Sequence, residues 1–154
     1  WDEGIAVNVS SAFHTIRLAV PGMKQRQWGR VINVSSIYGL RGAPNRVNYV
    51  TSKTALIGMT RAVALETVAH GITCNAVCPG TTESPVHDET IRAAMTNEGL
   101  TRAEAEQRFL TGKQPTGRFI SAENVAALIA FLCGPEAGDI TGAVLPIDGG
   151  WSSS

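Results

Sequence analysis

The stretch Asn48-Tyr49-Val50-Thr51-Ser52-Lys53, preceded by Asn33-Val34-Ser35-Ser36, decides the reading of this chain. It sets a phenol and an ammonium four positions apart, with the Ser36 hydroxyl thirteen positions before the phenol. A helix over 47–69 puts Tyr49 and Lys53 one turn apart on the same face. A phenol ordinarily titrates near pH ~10 and carries protons poorly at neutrality. A neighbouring positive charge favours its ionised form. Two unit charges about 4 Å apart interact by about 4 kcal/mol at an effective dielectric near ~20. As an upper bound, that would bring such a phenol close to neutrality, where general acid–base catalysis works best. Alone, Tyr-x-x-x-Lys is a weak pattern. A tyrosine one turn from a lysine is usually a half-buried ring beside a solvated charge.

The company of the motif sharpens it. Asn33-Val34-Ser35-Ser36 closes a strand, and Asn75-Ala76-Val77-Cys78-Pro79-Gly80 closes the next. Thr141-Gly142 and Asp148-Gly149-Gly150 stand near the end. In this order and spacing the set resembles the short-chain dehydrogenase/reductase family, over nearly the whole chain but only the second half of that fold. The resemblance implies an α/β fold: the C-terminal half of a doubly wound Rossmann-type parallel sheet, with three strands, flanking helices and a helical lid. The glycine-rich first half is absent, since neither Gly-x-x-x-Gly-x-Gly nor Gly-x-Gly-x-x-Gly occurs. The expectation is therefore the catalytic half of a longer oxidoreductase.

The resemblance also implies the chemistry. A hydride passes between a nicotinamide cofactor, NAD or NADP with NAD favoured, and a secondary alcohol or ketone. Tyr49 exchanges a proton with the substrate oxygen and Ser36 steadies that oxygen. Lys53 lowers the phenol's proton affinity and holds the nicotinamide ribose. Asn8, in Val7-Asn8-Val9, matches the residue that holds a relay water. Pro79, Gly80, Thr82 and Ser84 match the turn over the nicotinamide. Ala64-Leu65-Glu66-Thr67, Gly112-Lys113-Gln114-Pro115 and Asp148-Gly149-Gly150-Trp151 are similar to the 3-hydroxybutyrate dehydrogenase branch. There a cation three positions before the tyrosine holds the substrate carboxylate, and Arg46 stands at that place. Arg46 read from the residues alone is equally a solvated charge near a helix start. Tyr38 and Thr81 depart from that branch, which has a histidine and a tryptophan there. Tyr38 and Trp151 are the remaining candidate substrate contacts. A sugar, polyol or acyl-carrier ketone stays open as substrate.

Composition narrows the class. The 154 residues carry 13 basic and 13 acidic side chains, interspersed, for a net charge of zero. That argues against nucleic acid or an anionic membrane as partner. No apolar run reaches membrane-span length and no signal-peptide pattern opens the chain, so a cytoplasmic protein is expected. Three cysteines, with Cys74 and Cys78 on one strand and Cys133 in a late helix, read as buried reduced thiols. No metal site is expected.

Along the chain, Ile5, Val9, Phe13 and Ile16 mark a helix over 2–19 that Pro21-Gly22 ends or kinks. Strands are expected at 30–35, 73–78 and 143–147, the last at an edge because of Pro146. Strand 30–35, helix 47–69 and strand 73–78 read as one βαβ unit. Residues 81–120 read as a lid with helices over 86–98 and 101–111, the second opened by the capping box Thr101…Glu104. His87 and Gln107 could line it. Ser121 caps a last helix. Strand 30–35 leaves an unpaired apolar edge that invites pairing with another segment. Helices 2–19 and 47–69 match those that join subunits in the family. A homo-oligomer, dimer or tetramer, is thus expected, and a non-catalytic assembly module is the rival reading.

Overall fold

The computed structural model describes residues 1–154. Three parallel strands stand in the order β1 (Gly29–Val34), β2 (Ile72–Pro79), β3 (Val144–Ile147). β1 pairs with β2 from Gly29↔Ile72 to Val34↔Val77, and β2 pairs with β3 from Ala76↔Val144 to Pro79↔Ile147. Pro146, which cannot donate to a ladder, lies on the four-residue edge strand. The outer edge of β1 meets no other strand of the chain.

Alternation along the strands builds two apolar layers. Val31 and Cys74 face Ile16, Ala64, Val20, Met23 and Met59, between the sheet and the two helices α2 (Ser11–Arg26) and α3 (Val47–Thr67). Val77 faces Leu132, Val125, Leu128 and Ile129 of α6 (Ala122–Cys133) on the opposite side. β2 is covered on both faces, as a parallel strand rich in apolar residues should be. Asn75 is fully buried in it, yet both ends of its amide are paired: Nδ2 donates to Ile140 O at 2.7 Å, and Oδ1 accepts from Ala143 N at 3.1 Å. Those bonds fix the entry to β3. Cys74 and Cys78 are buried on β2, whereas Cys133 is exposed at the end of α6, contrary to expectation.

The first helix departs from its sequence reading in two ways. It does not stop near Pro21: α1 (Asp2–Ile5), a π-helical turn (Ala6–Ser10) and α2 run on to Arg26. The stop is set by Gln27, in the left-handed region at φ 54°, where Gln27 N donates to Lys24 O and Trp28 N to Met23 O. This is the usual pair of terminating bonds, with glutamine in place of the expected glycine. The π turn surrounds Asn8, and such widened turns gather at functional positions.

Residues 81–120 form a helical excursion between β2 and α6. α4 (Asp88–Glu98) packs on α5 (Arg102–Leu110), with Ile91, Ala105 and Leu110 buried. The Thr101–Glu104 capping box is complete, and Ser121 Oγ accepts from Asn124 N at 3.1 Å. No helix is long and apolar enough to cross a membrane.

Candidate active site

The carboxyl ends of β1 and β2 bring the candidate residues together. The chain leaves β1 through Ser35 and Ser36, and these adjacent hydroxyls have different partners. Ser35 Oγ donates to Lys53 O at 2.7 Å and so ties α3 to the strand end. Ser36 Oγ accepts from Tyr38 N at 3.2 Å, capping the short 3-10 turn Ile37–Gly39. Its own proton has no acceptor in the protein. Gly39 lies at the same junction: a Cβ there would sit 2.5 Å from Ser35 Oγ and 3.0 Å from Lys53 O.

Tyr49 lies in the first turn of α3 with 38% of its surface exposed. Lys53 follows one turn later on the same face, its Nζ 5.6 Å from the Tyr49 ring centre. The ammonium donates to Val34 O at 3.2 Å, not to the phenolic oxygen. Burial holds Lys53 below the ordinary lysine range, and neighbouring Cys78 opposes that in part. Burial likewise pushes the Cys78 thiol up, against hydrogen bonds from Ser35 and Ser36 that lower it.

Two cavities meet here. One, of about 250 Å³, is lined by Asn8, Asn45, Arg46, Val47, Asn48, Tyr49 and Ser52. The other, of about 440 Å³, follows the free edge of β1 and includes Asn8, Asn33, Val34 and Lys53. Tyr49 and Lys53 therefore open on different hollows, and Asn8 lines both. Asn8 Nδ2 donates to Gly4 O at 3.1 Å, which leaves its carbonyl oxygen without a protein donor. Ser36 lines neither hollow. It is joined to Tyr49 through Tyr38, whose ring meets Tyr49 edge-on at 6.2 Å and Trp151 edge-on at 5.5 Å. The expected contacts Tyr38 and Trp151 thus form one aromatic wall with Tyr49. Arg41 donates to Trp151 O and holds that wall from behind.

The Pro79-Gly80 turn is pressed against the end of β3. Gly80 N donates to Ile147 O at 3.0 Å, and a Cβ at Gly80 would come 2.9 Å from Asp148 Cα. Thr82 bridges to Ile120, its hydroxyl donating to Gly80 O at 3.3 Å. Ser84 Oγ accepts from Val86 N at 3.4 Å. The side chains of Thr82 and Ser84 thus hold their own loop in shape. Arg46 is exposed and forms no ion pair.

These residues fit the ribose of a nicotinamide dinucleotide on one observation. An ammonium has three donors, and Lys53 uses one on Val34 O. Lys53 lines the hollow along the free edge of β1, so its remaining donors are available to sugar hydroxyls there. No three His, Cys, Asp or Glu side chains gather to hold a metal ion.

A family profile described as enoyl-(acyl carrier protein) reductase matches residues 1–152. The chain belongs to the short-chain dehydrogenase/reductase family. Within the family it is 42% identical over 151 residues to D-beta-hydroxybutyrate dehydrogenase of Cupriavidus necator, covering 98% of this chain and 58% of the relative. It is 36% identical to 2-keto-3-deoxy-L-fuconate dehydrogenase of Xanthomonas campestris pv. campestris, covering 99% and 50%. Among solved structures, ElxO with NADP bound superposes with a TM-score of 0.83 at 30% identity, covering 96% of this chain and 56% of that one. The chain thus spans half to three-fifths of the family members it matches. Its fold is the Rossmann-like sheet of these reductases.

Sequence reasoning named His87 but missed the group that gathers around it. His87, Phe109 and Phe119 stack at ring-centre distances of 5.0 to 6.0 Å, and Lys113 Nζ sits 3.6 Å over the Phe109 ring. The spacing of these residues, 87 to 119, has no period to read. Gln107 sits outside the stack, beside Gly117.

Proposed function

We propose that this chain supplies the catalytic half of a dehydrogenase that oxidises a 3-hydroxy acid such as 3-hydroxybutyrate, or reduces the matching ketone. The observation that carries this reading is Asn8. It lines both the hollow at Tyr49 and the hollow at Lys53, and its free carbonyl oxygen can hold a water between them. When bound, NAD or NADP accepts or gives the hydride. Tyr49 takes or gives the proton at the substrate oxygen. Ser36, whose hydroxyl hydrogen is uncommitted, donates to that oxygen as charge develops on it. Lys53 holds ribose hydroxyls with its free donors and stabilises charge on the phenol. Asn8 and its water return the proton to solvent. Pro79, Gly80, Thr82 and Ser84 form the wall against the nicotinamide, and residues 81–120 close over the substrate. Tyr38 and Trp151 flank the reacting carbon.

Arg46 anchors the substrate carboxylate. Its support is its position in the Tyr49 hollow without an internal counter-ion. An arginine can grip a carboxylate with two parallel bonds. The test is steady-state kinetics of the full-length protein with 3-hydroxybutyrate and each nucleotide. Arg46→Ala should raise KM for the acid about tenfold or more while largely sparing kcat. Unchanged kinetics would remove the anchor, and no turnover with either nucleotide would remove the reading.

A second reading concerns assembly. Val7, Phe13 and Leu18 on the first helix, and Leu65 and Val68 at the end of α3, are large apolar side chains left exposed. That favours burial of these helices against another copy, as a dimer or tetramer. Sedimentation of the full-length protein reads this directly, and a monomer at micromolar concentration would exclude it.

A further inference from the structure

The first helix meets the start of α3 at one very close contact. A Cβ on Gly4 would sit 2.3 Å from Asn48 Nδ2, 2.3 Å from Asn48 Oδ1 and 2.7 Å from Asn48 Cγ. The backbone itself does not call for glycine there, since Gly4 is helical and has no positive φ. A glycine inside a helix is otherwise unfavourable. The space left by its missing side chain is taken by the Asn48 amide. Gly4 also supplies the bond that holds Asn8, because Gly4 O accepts from Asn8 Nδ2 at 3.1 Å. On the other side of the contact, Asn48 immediately precedes Tyr49 on α3. Asn8, Asn48 and Tyr49 line one hollow.

We propose that Gly4 and Asn48 are positioning residues that set how far Asn8 stands from Tyr49. The inference rests on the water-holding role of Asn8 argued above and adds what fixes that residue in place. Asn8 lies in the π-helical turn Ala6–Ser10, and its amide is tied back to the turn before it. A displacement of Gly4 therefore carries Asn8 with it. A large side chain at position 4 and the Asn48 amide cannot share one space, so the first helix must move off α3. A water held between Asn8 and the phenol tolerates little such movement, because hydrogen bonds weaken steeply away from their normal geometry. Shortening residue 48 makes room again. The two positions thus work as a pair, in which bulk at one demands its absence at the other.

The experiment measures kcat of the full-length protein with saturating 3-hydroxybutyrate and nucleotide. Gly4→Leu should lower kcat about tenfold to a hundredfold, the scale of a misplacement near ~1 Å. Helix propensity alone would favour leucine there. Adding Asn48→Ala to Gly4→Leu should bring kcat back to within about threefold of wild type. In an Asn8→Ala background, Gly4→Leu should change kcat less than about twofold, because the group it acts through is gone. An unchanged kcat in Gly4→Leu, no recovery in the pair, or a full further loss on top of Asn8→Ala overturns the proposal. Amide exchange across Ala6–Ser10, read without substrate, keeps it apart from the broader reading. Exchange should quicken in Gly4→Leu and slow again in the pair. If no hydroxy acid is turned over, the substrate assignment falls and exchange decides the contact alone. Exchange unmoved by Gly4→Leu overturns it.

Discussion

The motif-bearing centre and the lid are held by different physics. At the centre, β1, β2 and α3 are joined by buried polar bonds between specific partners: Asn75 to Ile140 and Ala143, Asn33 Nδ2 to Thr60 Oγ1 at 2.8 Å, Ser35 to Lys53 O. Each is costly to orphan, because the partner left behind is cut off from water. The lid is laced by ion pairs that stay in contact with solvent, Arg102 being more than half exposed. Such pairs contribute little, about 0–1 kcal/mol each. The contrast teaches why the two regions can divide a task. The centre holds Tyr49, Lys53 and Ser36 in fixed register, whereas residues 81–120 rely on pairs that solvent can replace.

Five substitutions would break or sharpen that contrast. The largest effect belongs to Tyr49→Phe. In the full-length protein it should lower kcat/KM about 10²- to 10⁴-fold. The unfolding midpoint should barely move, since the ring is 38% exposed. A large stability loss instead would mean that the phenol holds structure, not chemistry.

Asn75→Ala comes next. It orphans Ile140 O and Ala143 N in the core, at an expected cost of about 2–4 kcal/mol by urea denaturation. A cost under about 0.5 kcal/mol would show that water replaces both bonds.

The buried thiols of β2 make the centre sensitive to alkali. Burial pushes Cys74 from its ordinary 9.0 up to about 11. Between those values the unfolded chain loses a proton that the folded chain keeps. Stability is therefore whole below pH 9.0 and declines as pH rises towards about 11. The slope is at most about 1.4 kcal/mol per pH unit for one thiol. Cys74→Ala should flatten part of that slope, Cys78→Ala another part. An unchanged slope in both would assign it to other groups.

The smallest effect is Thr101→Ala, which removes the capping box of α5. It should cost about 1 kcal/mol, and only locally. Amide exchange in 102–110 should quicken while β2 stays protected. Exchange rising equally in β2 would mean that lid and centre unfold as one unit.

Much of this was legible in the residues. Alternating apolar strands, the βαβ spacing, Pro146 at an edge, the Thr101…Glu104 box and the Ser121 cap depend on local chemistry, and local chemistry is what a sequence displays. Where the reading failed, a distant partner or a tolerant residue intervened. Pro21 did not stop the first helix, and the left-handed Gln27 did. Cys133 was expected inside because its helix is apolar, yet it falls on the outer face of α6 beside exposed Phe131. Of the adjacent serines, spacing to Tyr49 favoured Ser36, and the structure gives Ser35 a tie to Lys53 O. The aromatic wall of Tyr38, Tyr49 and Trp151 joins residues too far apart in the chain for any periodicity to reveal.

The sequence by itself determined that a phenol and an ammonium would share one face of a helix, and that a hydroxyl would follow the end of the strand before it. Strand alternation and helical pitch are properties of the backbone, so neighbours within one turn or one pleat follow from spacing alone. Only the tertiary structure decided that Asn8 links the hollows of Tyr49 and Lys53, and that Lys113 lies over the Phe109 ring. Those relations arise from how separate elements pack, and packing depends on the summed shape and charge of surfaces that no single stretch contains.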